Sequence, residues 1–122
     1  MKTNYIVKLF VVAFLFMAGV AFAAAADKKP VGVSAKEYAV TTTVKDKKVI
    51  VTAVGKAGYH CNTLYPWKIT VGEKVYTKKD ASKFAEDGVV FKFDPAGVHK
   101  GTLKLSICND AQCLMETAEL TW

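Results

Sequence analysis

Along residues 37–122 apolar and polar positions alternate in short runs, the period-two signature of strands with one face turned to a core. "EYAVTTTV" (37–44) and "KVIVTAV" (48–54) are rich in β-branched residues and flank "KDKK", which predicts a hairpin. "GKAGYHCNTLYP" follows as a glycine-rich, proline-terminated connection, then the strand "WKITV" (67–71) with Trp67 toward the core, a turn at Gly72 and Glu73, and "KVYT". "KKDASKFAED" (78–87) carries helix formers between a Thr77 cap and a stop at Gly88, so one or two helical turns are expected there. "GVVFKFD" (88–94) alternates again, with Val89, Phe91 and Phe93 against Val90 and Lys92. After the turn-rich bridge "PAGVHKG", the chain closes with "TLKLSIC" and "CLMETAELTW", joined through "NDAQ".

Six to eight short strands, little helix and turn signals at intervals of roughly ten residues predict an all-β fold, an antiparallel immunoglobulin-like sandwich over residues 36–122. Residues 27–35 are small, charged and proline-containing, and are expected to form a flexible leader.

The first 26 residues differ from the rest. Lys2 and Lys8 precede an uncharged apolar run that passes into alanines and meets charge again at Asp27, the layout of a secretory signal peptide. Small residues at Ala21, Ala23, Ala24 and Ala26 place the cut between 23 and 26, and no cysteine stands at the junction for lipid attachment. An uncleaved anchor is the alternative, because 9–26 approaches the roughly 18 apolar residues of a span. Cleavage leaves about 96 residues, one small domain that is periplasmic or secreted, with no membrane association of its own.

Charge narrows the partners. Loss of Lys2 and Lys8 takes the formal net charge from +6 to +4, and every basic residue is lysine, spread along the chain. Nucleic-acid recognition leans on arginine forks and focused patches, so that role is not expected. Clusters such as Lys45, Lys47, Lys48 read as solvated turns and edge protection.

The densest chemistry is "LSICNDAQCLM" (105–115), which holds two of the three cysteines. Alternation puts Leu103, Leu105 and Ile107 on one face of the last hairpin and Thr102, Lys104, Ser106 and Cys108 on the other; beyond the turn, Cys113 and Met115 also fall on the polar face. A four-residue loop makes Cys108 and Cys113 the closing pair, with Cα atoms about 4.5 to 5.5 Å apart, within disulfide reach. In an exported chain the pair is expected to be oxidised. Closing so short a loop stabilises by only about 2 kcal/mol on the chain-entropy estimate, and an outward-facing pair exchanges with an incoming thiolate more readily than a buried one. A hairpin-locking disulfide stands beside that reading.

With a signal peptide, a small β-domain, "GYHCN" in its first half and "CNDAQC" near its end, the chain resembles, over about residues 36–122, the N-terminal periplasmic domain of DsbD-type thiol:disulfide interchange proteins. The resemblance rests on Gly58, Tyr59, His60 and on Cys108 and Cys113. It implies an immunoglobulin-like fold in which Cys108 and Cys113 are the exchanging couple, a thiol:disulfide oxidoreductase-type function without a cofactor, and a thioredoxin-like or other thiol protein as partner.

Cys61, the odd cysteine, is open to three readings: a buried inert thiol, a mixed-disulfide or dimer site, or a third ligand with Cys108 and Cys113; it and His60 are the candidate accessory residues of the site. His60, Cys61, Cys108, Cys113 and Met115 are donors suited to Cu(I) or Zn, but their spacing matches no zinc-ribbon or blue-copper pattern, so no metal ligand is assigned. His60 and His99 are isolated in sequence, and each is read as a turn or surface residue rather than a catalyst. No nucleophile elbow, HExxH or phosphate loop is present. Tyr59, Tyr65, Trp67 and Trp122 are expected to pack in the core and its rim. A non-enzymatic exported binding or accessory domain with a structural disulfide is the competing function.

Overall fold

The computed structural model describes residues 28–95 and 97–122, so the expected signal peptide lies outside the described residues. Among the described residues there are ten strands: β1 (Lys28–Ser34), β2 (Tyr38–Lys45), β3 (Lys48–Gly55), β4 (His60–Cys61), β5 (Lys68–Val71), β6 (Lys74–Thr77), β7 (Ala81–Ala85), β8 (Gly88–Phe93), β9 (Lys100–Cys108) and β10 (Cys113–Thr121). One sheet runs β1-β2-β3-β8-β7 and the other β10-β9-β5-β6, with β4 paired to β9. All pairings are antiparallel. The order β2-β3-β8-β7 facing β10-β9-β5-β6 is the Greek-key arrangement of an immunoglobulin-like sandwich, with β1 added at one edge.

Period-two alternation builds the core. Tyr38 and Val40 of β2, Val49, Val51 and Ala53 of β3, and Val89, Phe91 and Phe93 of β8 face Ile69 and Val71 of β5, Leu103, Leu105 and Ile107 of β9, and Ala118 and Leu120 of β10. Trp67 is buried as expected, and its indole N–H donates to the Asn62 carbonyl at 2.7 Å; Trp122 closes the opposite end, donating to the Val98 carbonyl at 2.6 Å. Both aromatic residues thereby bury ring area without leaving a donor unpaired.

The turns follow their local chemistry. Asp46 and Lys47 both take positive φ (52° and 63°), the two-residue primed turn that matches strand twist. In the β9–β10 turn the Asn109 side-chain oxygen accepts from the N–H groups of Ala111 and Gln112 at 2.9 and 2.8 Å, while the Asn109 N–H donates to the Gln112 carbonyl at 2.8 Å. That turn is set by asparagine's ability to mimic a backbone turn.

Two segments differ from expectation. Lys28–Ser34, expected to be a flexible leader, is a strand: "PVGVS" alternates enough for Val31, Gly32, Val33 and Ser34 to register against Thr42, Thr41, Val40 and Ala39. Pro30, which has no N–H to give a ladder, falls within the register shift between Lys28 and Val31. The helical turns expected over 78–87 reduce to one 3₁₀ turn at Lys78–Asp80, where the Thr77 N–H donates to the Asp80 carboxylate at 2.8 Å. Ala81–Ala85 then pairs with β8, because Phe84 sets its ring edge-on to Trp67 at 6.1 Å and Lys78 lies 5.1 Å over the Phe84 ring. Tertiary packing overrides helix propensity there.

The asymmetry of the faces carries a stability prediction. Leu105→Ala should cost about 2 to 5 kcal/mol in urea unfolding, whereas Met115→Ala on the outer face should stay within about 0.5 kcal/mol of the parent; equal losses would contradict this assignment of faces.

Candidate functional site

Residues Cys113 to Thr121 register one for one against Cys108 to Lys100, with Cys113 opposite Cys108 as the closing pair. The two cysteines form a disulfide, their Cα atoms 4.0 Å apart. Their surroundings are unequal. Cys113 is exposed at the start of β10, an edge strand, whereas Cys108 is 7 % exposed and sits inboard. The expectation that both cysteines fall on the outer face holds in register, but Cys108 is covered there.

The cover is β4. His60 registers opposite Cys108 and Cys61 opposite Ile107, so His60 shares the outer face with Cys108 while Cys61 points to the core with Ile107. Asn62 fastens this short strand with four hydrogen bonds. Its N–H donates to the Ser106 carbonyl at 2.9 Å and its side-chain amide to the Ser106 hydroxyl at 3.2 Å. Its side-chain oxygen accepts from the Leu64 N–H at 3.1 Å, and its carbonyl accepts from Trp67. The last four residues of β9, Leu105 to Cys108, are consequently buried on both faces.

The chain reaches β4 through a tight turn. Ala57 and Gly58 take positive φ (53° and 85°), and the Tyr59 N–H donates to the Lys56 carbonyl at 3.0 Å. A Cβ on Gly55 would run into the Tyr59 carbonyl, so only glycine allows the chain to fold back here. The turn delivers the half-buried Tyr59, whose hydroxyl accepts from the Gln112 side-chain amide at 3.1 Å, tying β4 to the hairpin turn.

Of the residues singled out from sequence, His60, Cys108 and Cys113 thus form one row across β4, β9 and β10, and Met115, 74 % exposed, stands beside it opposite Ser106. Cys61 is separated from them by the strand itself. It is 1 % exposed, and its thiol donates to the Ala53 carbonyl at 3.7 Å. Burial pushes its pKa up from the ordinary thiol value, and the Asp87 carboxylate adds to the shift. The burial of Cys61 fits the reading as a buried inert thiol, on the opposite strand face from Cys108. The donor set considered for a metal divides between two faces, and among the described residues no three His, Cys, Asp or Glu side chains gather as a metal site. His99 lies in the bridge before β9, where its carbonyl accepts from the Trp122 N–H at 3.0 Å.

Asn62, Ser106 and Gln112 were not singled out by sequence reasoning. Their only signal is polarity in "HCN", "LSIC" and "NDAQ", which does not reveal that 60–62 pairs with 106–108. Leu64, 94 % exposed, borders an open groove of about 480 Å³ lined by Tyr65, Pro66, Trp67, Lys68, Thr77 and Lys78.

No family model, curated protein or solved structure matches this chain.

Two predictions follow from this arrangement. Asn62→Ala leaves the buried Ser106 hydroxyl without its partner and should cost about 1 to 3 kcal/mol, together with faster alkylation of Cys108 after reduction, read by peptide mapping. Because the folded state keeps a proton on Cys61 that the unfolded chain releases, this contribution to stability is full below the ordinary thiol pKa and is lost as pH rises through the folded value. Stability in urea should therefore fall above about pH 9, and less steeply in Cys61→Ala. Tyr38, whose pKa burial also raises, keeps part of the slope.

Proposed function

We propose that the chain is an exported thiol-disulfide exchange domain in which Cys108 and Cys113 form a reversible couple, working in the periplasm or outside the cell with a thiol protein of thioredoxin-like type. The observation that carries this reading is that the hairpin is held by contacts other than the disulfide. β9 and β10 are already registered over nine pairs, the turn is closed by Asn109, and Tyr59 holds Gln112 from the neighbouring loop. A bond that adds only about 2 kcal/mol to a hairpin so held contributes little as a staple. Its position at the open end of an edge strand, one sulfur-bearing residue exposed, suits exchange.

The unequal exposure supports a division of roles. A partner thiolate attacks Cys113, and Cys108 is the leaving sulfur. The resemblance to the N-terminal domain of DsbD-type proteins agrees with this chemistry, as does a sandwich that presents the pair at one end.

A second reading, a non-enzymatic exported binding or accessory domain, is favoured by one observation: the groove beside Leu64, lined by Tyr65, Pro66, Lys68 and Lys78 among others. That reading leaves the cysteines structural.

Redox titration separates the two. In a dithiol buffer series followed by both thiol mapping and circular dichroism, Cys108 and Cys113 should reduce while the sheet signal persists, with a loss of stability of no more than about 2 kcal/mol. Melting that coincides with reduction would establish the staple. Replacement of both cysteines by serine should preserve the fold and abolish exchange with a small protein disulfide.

A further inference from the structure

We infer that His60 is the group that receives the leaving sulfur: it stabilises the Cys108 thiolate released when a partner attacks Cys113. The inference deepens the exchange reading and rests on it.

The lateral order of the strands carries it. From the sheet edge inward the row is solvent, Cys113 on β10, Cys108 on β9, His60 on β4. In thiol-disulfide exchange the attacking, central and leaving sulfurs lie nearly in line. A thiolate arriving from the open edge at Cys113 therefore drives the electron pair inward, onto Cys108 and toward β4. Directly opposed residues on antiparallel strands hold their Cβ atoms about 4.5 to 5.5 Å apart, and one row along, the side chains of Asn62 and Ser106 do meet across this same pairing, at 3.2 Å. Cys108 is 7 % exposed, so water alone solvates a thiolate there poorly, and a cationic neighbour lowers the cost of its charge.

Other ionisable groups are placed less well. On the elements packed against β4 these are Lys48 on β3, Lys92 on β8, and Lys100 and Lys104 on β9, with Glu86 and Asp87 in the β7–β8 turn and Asp110 in the hairpin turn. Lys104, the nearest lysine on the Cys108 face of β9, is four residues away, about 13 Å along the strand. Lys56, in the turn before β4, is engaged by the Ser34 hydroxyl and the Ala35 carbonyl, both at 3.0 Å. Lys83 is paired with Asp87 at 3.3 Å. Tyr59 directs its hydroxyl to Gln112. Among the described residues, His60 is the basic side chain that the register places in the row.

The steps balance as follows. A dithiol partner, as thiolate, forms a bond to the Cys113 sulfur as the Cys108–Cys113 bond breaks. The electron pair leaves on Cys108, where the His60 imidazolium pairs with it or donates its proton. The partner's second thiolate attacks the partner sulfur of the mixed disulfide, and Cys113 departs as a thiolate that takes its proton from solvent. The partner is oxidised by two electrons and the hairpin reduced by two.

The test needs no natural partner. In Cys113→Ser, the Cys108 thiol is titrated by thiolate ultraviolet absorbance, with the Cys108→Ser/Cys113→Ser variant subtracting Cys61. The expected result is a thiol pKa about one unit below the ordinary cysteine value, returning to that value in His60→Gln and remaining low in His60→Lys. In the oxidised wild-type protein, dithiothreitol should reduce the bond about tenfold faster than in His60→Gln where histidine is protonated, with the ratio falling toward one at higher pH. His60→Lys should keep the faster rate with no inflection in the histidine range, and circular dichroism reports whether each variant is folded. An unchanged Cys108 titration in folded His60→Gln and His60→Lys overturns the inference even if exchange itself is confirmed. Melting on reduction defeats the exchange reading independently of any histidine effect.

Discussion

The pairing of Asn62 with Ser106 decides how the sulfur chemistry is presented. Without it, Cys108 and Cys113 would be two outward-facing residues at the end of a terminal hairpin. With it, a two-residue strand is held against β9, Ser106 and Cys108 are covered, and only Cys113 is left open. The hold is strong for its length because all four bonding functions of one asparagine are used, one of them by the indole of the buried Trp67. The core fixes Trp67, Trp67 fixes Asn62, and Asn62 fixes what surrounds the disulfide. A sandwich interior close-packed enough to hold one tryptophan in place can thereby control access to a bond at its surface.

How much of this could be read from the chain depends on the range of the interaction. Leu103, Leu105 and Ile107 inward, with Cys108 and Cys113 opposed across a four-residue loop, followed from strand parity alone, because hairpin register is local and one face is apolar. The same reasoning failed at 78–87, where Ala, Lys and Glu favour helix but Phe84 finds a better place beside Trp67 than a solvated helix would offer. At Lys28–Ser34 composition suggested a leader, yet the edge of β2 needed a partner and the valines of "PVGV" sufficed. The cover over Cys108 was out of reach for a different reason. A strand of two residues has no periodicity to detect, and its pairing spans more than forty positions.

The three cysteines pose a question that the register answers. His60 and Cys61 are consecutive, and so are Ile107 and Cys108, so a free thiol and half of a disulfide sit on adjoining rows of paired strands. Side chains on consecutive strand residues point to opposite faces, which sends Cys61 into the core toward Ala53 and Cys108 to the outer surface. A bond between them would require rotating one strand through half a turn, breaking the Asn62 contacts and exposing Ile107. Burial also holds Cys61 in its protonated form, the unreactive one. Parity and desolvation together let a protein with three cysteines keep Cys61 apart from the Cys108–Cys113 bond, and they do so only while β4 stays in register. The residues that cover Cys108 are therefore the same ones that keep the third thiol away from it.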